Sequence, residues 1–522
     1  MIGRGSLHGF VSAPAAEEPA APARQEHAAR ELWQHLTAPD TVRLEVPDSS
    51  AARRRLRHRV RNLVPGASVV LTCTALGSAR RRCRKFARDA GIEILREYIA
   101  LPSLDSPTCY VEDSRPALTY FFTQLLTLPK GSAVVGAPLQ AMKALARAFF
   151  PAGLVGTVAP IRVVLGRVRM SVAIRSAHPG MADPPSSGTV LDLPGMHSLV
   201  LALSKDPNAK FTVLLIPDGG RQPTLAIKLP TTPAAEASIA AETGVLRALH
   251  DRLSGVTLAT IPRLEELPEL ADVPSLVTSA LPGSPLTTRY HAWRHLGTPG
   301  AVRADFRAVE VWLGGLQSAT AGARGPLDMD GGAVAALQRR FGEEPGVNES
   351  LAALTRVHER LRLTSTPRTA VHGDFWFGNV LMAGERVSGV IDWEAGAAQG
   401  EPVRDLIRFA LTYALYLDRH TRAGHRVSGH PGLWAGEWGA GITWALEGQG
   451  WFPDLIREFV QNGLIRLGAD PERWRDALLA GLAEVAATAD HVEFARLHWQ
   501  LFGRLASSDP ALSARAVAPP PR

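Results

Sequence analysis

Cysteine is scarce in this chain of 522 residues, where Cys73, Cys83 and Cys109 are the whole complement. No two of them form a CxxC pair, which excludes a zinc site built on paired cysteines and a disulfide framework, and points to a reducing compartment, the cytoplasm. Long apolar runs are lacking too. The uncharged stretches Pro116 to Pro129 and Ala148 to Ile161 are broken by proline and glycine and fall short of the about 20 apolar residues that span a bilayer. No spanning segment is expected, while peripheral contact with a membrane stays open. The first residues hold no sustained apolar run of the signal-peptide kind. Also missing is a GxGxxG after any strand-like run of the N-terminal half, so dinucleotide binding has no motif there.

What is present is the composition of a folded protein. Hydrophobic residues make up 46% and charged residues 20%, enough to bury substantial cores, and the length suits about two to four domains. Lys and Arg number 57 against 50 Asp and Glu, a modest excess that suits phosphate-bearing ligands without calling for nucleic acid as a partner.

Read in order, residues 1–28 are rich in Ala, Pro and Glu without a periodic apolar face, and are expected to be a disordered tail. Two arginine clusters follow, ARRRLRHRVR at Ala52 to Arg61 and ARRRCRKFAR at Ala79 to Arg88. Such clusters suit phosphates of nucleic acid or anionic lipid, and suit a solvated helix face better. From Ala67 the pattern reads strand, helix (Ser78 to Ala90), strand (Gly91 to Tyr98), so an α/β Rossmann-like domain is expected over 29–177. The Pro-, Ser- and Gly-rich run within 178–190 reads as a linker. A fragment starting near Ser187 is then expected to fold alone, with 507–522 as a second disordered tail.

The stretch VHGDFWFGNVLMAGERVSGVIDWE, Val371 to Glu394, organises the remainder. Two apolar runs, Asn379 to Met382 and Val387 to Ile391, read as short buried strands joined by a turn at Ala383-Gly384-Glu385. A hairpin brings His372, Asp374, Asn379 and Asp392 to one end. Phosphoryl transfer needs Mg²⁺ bridging the phosphates and a group that orients the attacking hydroxyl and accepts its proton, and Asp and Asn supply hard oxygen ligands for that metal.

HGDFWFGNVL followed by GVIDWE resembles the aminoglycoside phosphotransferase and choline kinase branch of the protein-kinase-like fold. That resemblance implies Asp374 as catalytic base, His372 as support of the catalytic loop, and Asn379 and Asp392 as Mg²⁺ ligands. Trp376 and Phe377 stand where the family often has His and Pro. In QGEPVRDLIRF, Asp405 is expected to brace the loop; otherwise it is a carboxylate at a helix N-terminus.

The resemblance extends over about 195–505 and implies an α+β two-lobed fold, with a small mixed β lobe at 191–282 and a large helical lobe at 283–506. A lysine inside an apolar strand is costly without an anion, so Lys228 of TLAIKL is the candidate phosphate-binding lysine. Glu242 is its expected partner and Glu236 the rival. The loop Ser204 to Lys210 holds no glycine, and Ser204 with its neighbouring amides is the candidate phosphate contact there. Backbone around Thr278, Ala280 and Leu281 is implied as the adenine contact. The late tryptophans Trp434, Trp438, Trp444 and Trp451 suit an acceptor pocket and core packing equally. LVPGASVVLT with AGIEILREY in the N-terminal half resembles the late strands of methyltransferase-like domains.

The function these features imply is transfer of the γ-phosphate of ATP to a hydroxyl of a small molecule, of aminoglycoside, sugar or amino alcohol type. The competing reading is a kinase-like nucleotide-binding or regulatory module without turnover.

Overall fold

The computed structural model describes residues 41–75, 78–101, 109–125, 161–168, 193–201, 208–267, 270, 274–292, 294–509 and 512. Ser204, the linker 178–190, the tail 1–28 and most of the tail 507–522 lie outside the described residues. The rest groups into two compact units. One takes in the described residues up to Thr243 together with Pro262–Pro282; the other takes in Gly244–Ile261 and those from Gly283 on.

The first unit is built on one sheet. Its strands are β1 (Val42–Glu45), β2 (Ser68–Thr74), β3 (Ile92–Leu101), β4 (Cys109–Glu112), β5 (Ile161–Val168), β6 (Met196–Leu201), β7 (Lys210–Pro217), β8 (Leu225–Pro230) and β9 (Leu276–Ser279). They lie in the order β1-β2-β5-β3-β4-β6-β7-β8-β9. With them go the helices α1 (Ser50–Arg61), α2 (Ala79–Ala90) and α3 (Arg115–Tyr120), and the start of α4 (Pro233–Arg252). The expected strand, helix, strand unit is β2-α2-β3, but the sheet is not the parallel one a Rossmann-like domain requires. Among the described residues only β1 and β2 pair in parallel. β5 lies between β2 and β3 and is antiparallel to both, a pairing that no local pattern announces because its residues are far away in the chain.

Strands expected to belong to two domains are hydrogen-bonded to each other. β4 pairs with β6 in the register Cys109↔Leu201, Tyr110↔Val200, Val111↔Leu199. Side chains alternate across the sheet as strand geometry demands. On one face Val70, Tyr98 and Tyr110 join Val200, Val213, Ile227 and Val277 in a single cluster. On the other, Val69, Leu71 and Cys73 meet Leu56 and Val60 of α1 and Cys83, Phe86 and Ala87 of α2. Polar contacts cross between β4 and β6 as well, where the buried Glu112 accepts from the Ser198 amide at 2.7 Å and lies 2.7 Å from His197 Nδ1. The Tyr98 hydroxyl meets Ser198 Oγ at 2.7 Å inside the core.

The second unit is mostly helical: α5 (Gly255–Leu258), α6 (Leu286–Tyr290), α7 (Pro299–Thr320), α8 (Ala333–Phe341), α9 (Val347–Arg362), α10 (Val403–Leu415), α11 (Ala440–Glu447), α12 (Trp451–Arg466), α13 (Trp474–Thr488) and α14 (Val492–Ser507). Short strands are interspersed: β10 (Ser284–Pro285), β11 (Arg324–Pro326), β12 (Ser365–Pro367), β13 (Thr369–Val371), β14 (Val380–Ala383), β15 (Arg386–Val390) and β16 (Ala397–Gly400). Helix α10 is central, buried on most of its circumference. Phe409 packs edge-on against Phe306 with ring centroids 5.2 Å apart, and Phe306 against Phe459 at 5.0 Å. Each such aromatic contributes about 1.5–3 kcal/mol by leaving water, so α10 is a firm base for what it carries. Among the described residues no helix is long and apolar enough to cross a membrane.

A fragment beginning at Ser187 lacks β1 to β5, leaving β6 an open edge and half of the Tyr98-Tyr110-Val200 cluster exposed. It is expected to be insoluble or to lose a cooperative thermal transition, as circular dichroism melts can record. A soluble fragment with a sharp melt would show that β6 to β9 stand alone.

Candidate active site

The chain reaches the site along β13 and then turns sharply. Gly373 has φ +80°, and a Cβ there would lie 2.0 Å from the carbonyl oxygen of Ala395, so only glycine fits both the dihedral and the space. The buried Asp405 of α10 holds this turn: its carboxylate accepts from the His372 amide at 2.6 Å and the Gly373 amide at 2.9 Å. Burial pushes the Asp405 carboxyl above its usual range, and His372 with these two amides works against that rise. The two backbone donors take the place of the water that burial removes.

His372 is buried between the loop and the end of β15. Its Nε2 donates to the Ile391 carbonyl at 2.9 Å and its Nδ1 accepts from the Asp374 amide at 3.3 Å, which fixes one tautomer. The ring also lies against Trp393, centroids 4.7 Å apart. Next in the loop, the Asp374 carbonyl accepts from the Trp376 amide and from Asn379 Nδ2, each at 3.0 Å. The Asn379 amide group is thereby oriented, with Nδ2 turned to the backbone and Oδ1 to the opposite side.

The hairpin has the predicted form. β14 pairs with β15 from Val380↔Val390 to Ala383↔Arg386, around a turn at Gly384 and Glu385. One further backbone bond, Ile391 amide to Asn379 carbonyl at 3.0 Å, extends it to the residues at its mouth. Asp392 follows with φ +72°, a left-handed conformation uncommon outside glycine and tolerated best by Asn and Asp. The loop and the hairpin thus bring Asp374, Asn379 and Asp392 to one end of the hairpin, two residues with carboxylates and one with an amide. That hard-oxygen set fits Mg²⁺, whose remaining positions water and phosphate oxygens would fill.

Sequence reading missed Arg408. It stands three residues after Asp405, on the same face of α10, a spacing that could have exposed it. Its Nε and Nη2 both donate to Asp374 Oδ1, at 3.1 and 2.7 Å. Burial disfavours its charge, but Asp374 beside it more than offsets this and raises the guanidinium above its ordinary value. Among the described residues nothing bonds Asp374 Oδ2, which leaves that oxygen able to take a proton. Phe377 is a core residue, stacked on Tyr290 at 4.3 Å, while Trp376 is half-buried.

In the other unit Lys228, on β8, has its Nζ 2.5 Å from Glu242 Oε2, both largely buried. Glu242 lies in the middle of α4, and Glu236 is exposed in its first turn. Thr278 pairs with Ala226 within the sheet, and the Ala280 amide donates to the Thr224 carbonyl at 2.8 Å. That amide is therefore turned inward to the sheet. Trp438 packs against His498 and Trp451 against His430.

Residues 207–436 match the model of the phosphotransferase enzyme family, APH. The resemblance drawn from HGDFWFGNVL and GVIDWE holds over this stretch, which runs through strands, a helix, the β14-β15 hairpin and further helices. No curated protein matches the chain. Similar solved structures include a thermostable mutant of aminoglycoside phosphotransferase APH(4)-Ia in its apo form, 14% identical over 60% of this chain and 95% of that one with a TM-score of 0.37. The streptomycin-ATP-APH(2")-IIa ternary complex is 14% identical over 65% and 97%, TM-score 0.35. Macrolide 2'-phosphotransferase MphH from Brachybacterium faecium is 17% identical over 59% and 96%, TM-score 0.30. Likenesses this loose carry no argument of their own. The family match stops short of β1 to β5, so the methyltransferase-like reading of that part has no match behind it.

Replacing Asp405 with alanine leaves two buried amides without an acceptor. The expected loss is about 2 kcal/mol or more of stability, measurable by urea unfolding, together with loss of any activity of the loop. An Asp405→Ala protein of unchanged stability would mean that the loop is held by other contacts.

Proposed function

We propose that the chain is an ATP-dependent, Mg²⁺-requiring phosphotransferase that transfers the γ-phosphate to a hydroxyl of a small molecule. The observation that carries this reading is the mouth of the β14-β15 hairpin, where Asp374, Asn379 and Asp392 gather inside the stretch that matches the phosphotransferase family. In this reading Asp374 Oδ2 receives the proton of the attacking hydroxyl, and Arg408 holds the carboxylate by its other oxygen so that Oδ2 faces one way. His372 links the Asp374 amide to the Ile391 carbonyl, next to Asp392. Asn379 and Asp392 would hold Mg²⁺, which supplies charge neutralisation on the transferred phosphoryl group. Lys228, oriented by Glu242, would contact a phosphate oxygen. The acceptor is a hydroxylated molecule of aminoglycoside, sugar or amino alcohol type, and the adenine would be met by backbone beyond the Ala280 amide.

Screening such acceptors for ADP release tests the activity as a whole. With an acceptor in hand, Asp374→Asn is expected to lower turnover by about 10² to 10⁴ with ATP affinity kept, since it removes a base and no phosphate contact. Wild-type turnover in that variant would exclude Asp374 as the base.

Asp392→Ala is expected to abolish the Mg²⁺ dependence of nucleotide binding in calorimetry with and without the metal. A variant that still binds ATP more tightly with Mg²⁺ would place the metal on other ligands.

A further inference from the structure

The two arginine clusters fold into neighbouring helices with a groove between them. Its volume is about 710 Å³, and five cations line it: Arg53 and Arg57 from α1, and Arg81, Arg82 and Lys85 from α2. Among the described residues Asp48 and Asp89 are its only acids. A second hollow of about 300 Å³, lined by Arg54, Arg57, His58 and Arg61, adjoins it through Arg57.

The fold accounts for some of these cations and not for others. On α2, Arg84 is tied to Glu97 at 2.7 and 3.0 Å and Arg80 to Asp113 at 3.3 Å, so both serve the sheet beneath. In the groove Arg57 meets Asp89 at 3.2 Å, Arg82 meets Asp48, and Arg53 donates to the backbone of Pro47 and Asp48. Arg81 and Lys85 are exposed and have no acidic partner among the described residues. They sit one helical turn apart, where like charges repel. Three arginines occupy the first turn of α2, the end at which the helix dipole disfavours a cation. Neither solubility nor helix stability asks for this placement, since a face built only for solvent alternates its charges. Between Thr41 and Leu101 fourteen Lys and Arg stand against five Asp and Glu, while the excess of the whole chain is seven, so the remainder is slightly acidic.

We propose that the groove between α1 and α2 is a binding site for a compact ligand carrying two or more phosphate groups, using none of the residues assigned to phosphoryl transfer. The size matches small-molecule sites, which run about 300–1,000 Å³. Arg81 and Lys85 supply the uncompensated charge, and the planar forks of Arg53, Arg57 and Arg82 suit phosphate oxygens. The only aromatic in the lining, Phe86, is buried beneath it, so a nucleic-acid base would find no ring to stack on. Recognition is thus of the phosphates, by cations that two helices gather around one open groove.

The test is calorimetric titration of the full chain with tripolyphosphate, pyrophosphate and inorganic phosphate, without Mg²⁺, at low and at physiological salt. Tripolyphosphate and pyrophosphate are expected to bind more tightly than phosphate, and salt to weaken all three. Arg81→Gln/Lys85→Gln should raise the dissociation constant of tripolyphosphate about tenfold or more, with melting temperature and phosphoryl-transfer activity unchanged because both side chains are exposed. Equal affinity in the double variant would assign the binding to another site and overturn the proposal. So would absence of binding in the wild type, or binding to duplex DNA or to phosphatidylglycerol vesicles that tripolyphosphate fails to displace.

Discussion

A buried carboxylate ties the candidate site to the core of its unit. Asp405 accepts the consecutive amides of His372 and Gly373 while α10, which bears it, is wedged among Phe306, Phe459 and α13. The amides of a turn have no sheet partner, and burying them unpaired is costly. Supplying the acceptor from a packed helix makes the loop as rigid as the helix. The same helix, one turn on, presents Arg408 to Asp374, so one element fixes both the path of the loop and the aim of its carboxylate.

Strain is distributed to the same end. Gly373 and Asp392 both have positive φ, one at the entrance to the loop and one at the exit of the hairpin. Between them the chain is held by short-range bonds, Trp376 amide and Asn379 Nδ2 to the Asp374 carbonyl and Ile391 amide to the Asn379 carbonyl. It is also held from further away, by Arg408 on Asp374, the Thr260 carbonyl on the Val390 amide and β10 paired with β14. A left-handed aspartate costs of order 1–3 kcal/mol unless its surroundings over-determine it. Here the His372 ring, bonded to the Ile391 carbonyl next to Asp392, supplies such a constraint.

Local features of this arrangement were readable from the residues, and remote ones were not. The hairpin, the Gly384 turn and the placing of Asn379 and Asp392 at its mouth follow from two apolar runs flanked by polar residues. The Lys228 to Glu242 pair followed from the cost of a lysine inside an apolar strand, though the helix extends further back than its amphipathic part suggests. Arg408 was missed because an arginine on a buried helix looks like any helix residue until its partner is known. The continuous sheet was hidden for a different reason: β5 enters between β2 and β3, and β4 joins β6, through pairings whose partners are tens of residues apart. Apolar alternation identifies a strand and says nothing about its neighbour.

The distribution of charge separates two ways of handling anions in one chain. At the hairpin mouth stand two carboxylates, Asp374 and Asp392, with the amide of Asn379, a set that in the proposed reading attracts phosphate only once a divalent cation has joined it. Binding by that route would depend on metal. Between α1 and α2 the cations belong to the protein, so attraction needs no metal and is governed by salt. Arginines cannot give up their charge near neutral pH, which makes such a groove suited to holding phosphates and unsuited to acid-base chemistry. In the proposed reading catalysis lies with the carboxylates of the hairpin, and the basic helices serve recognition.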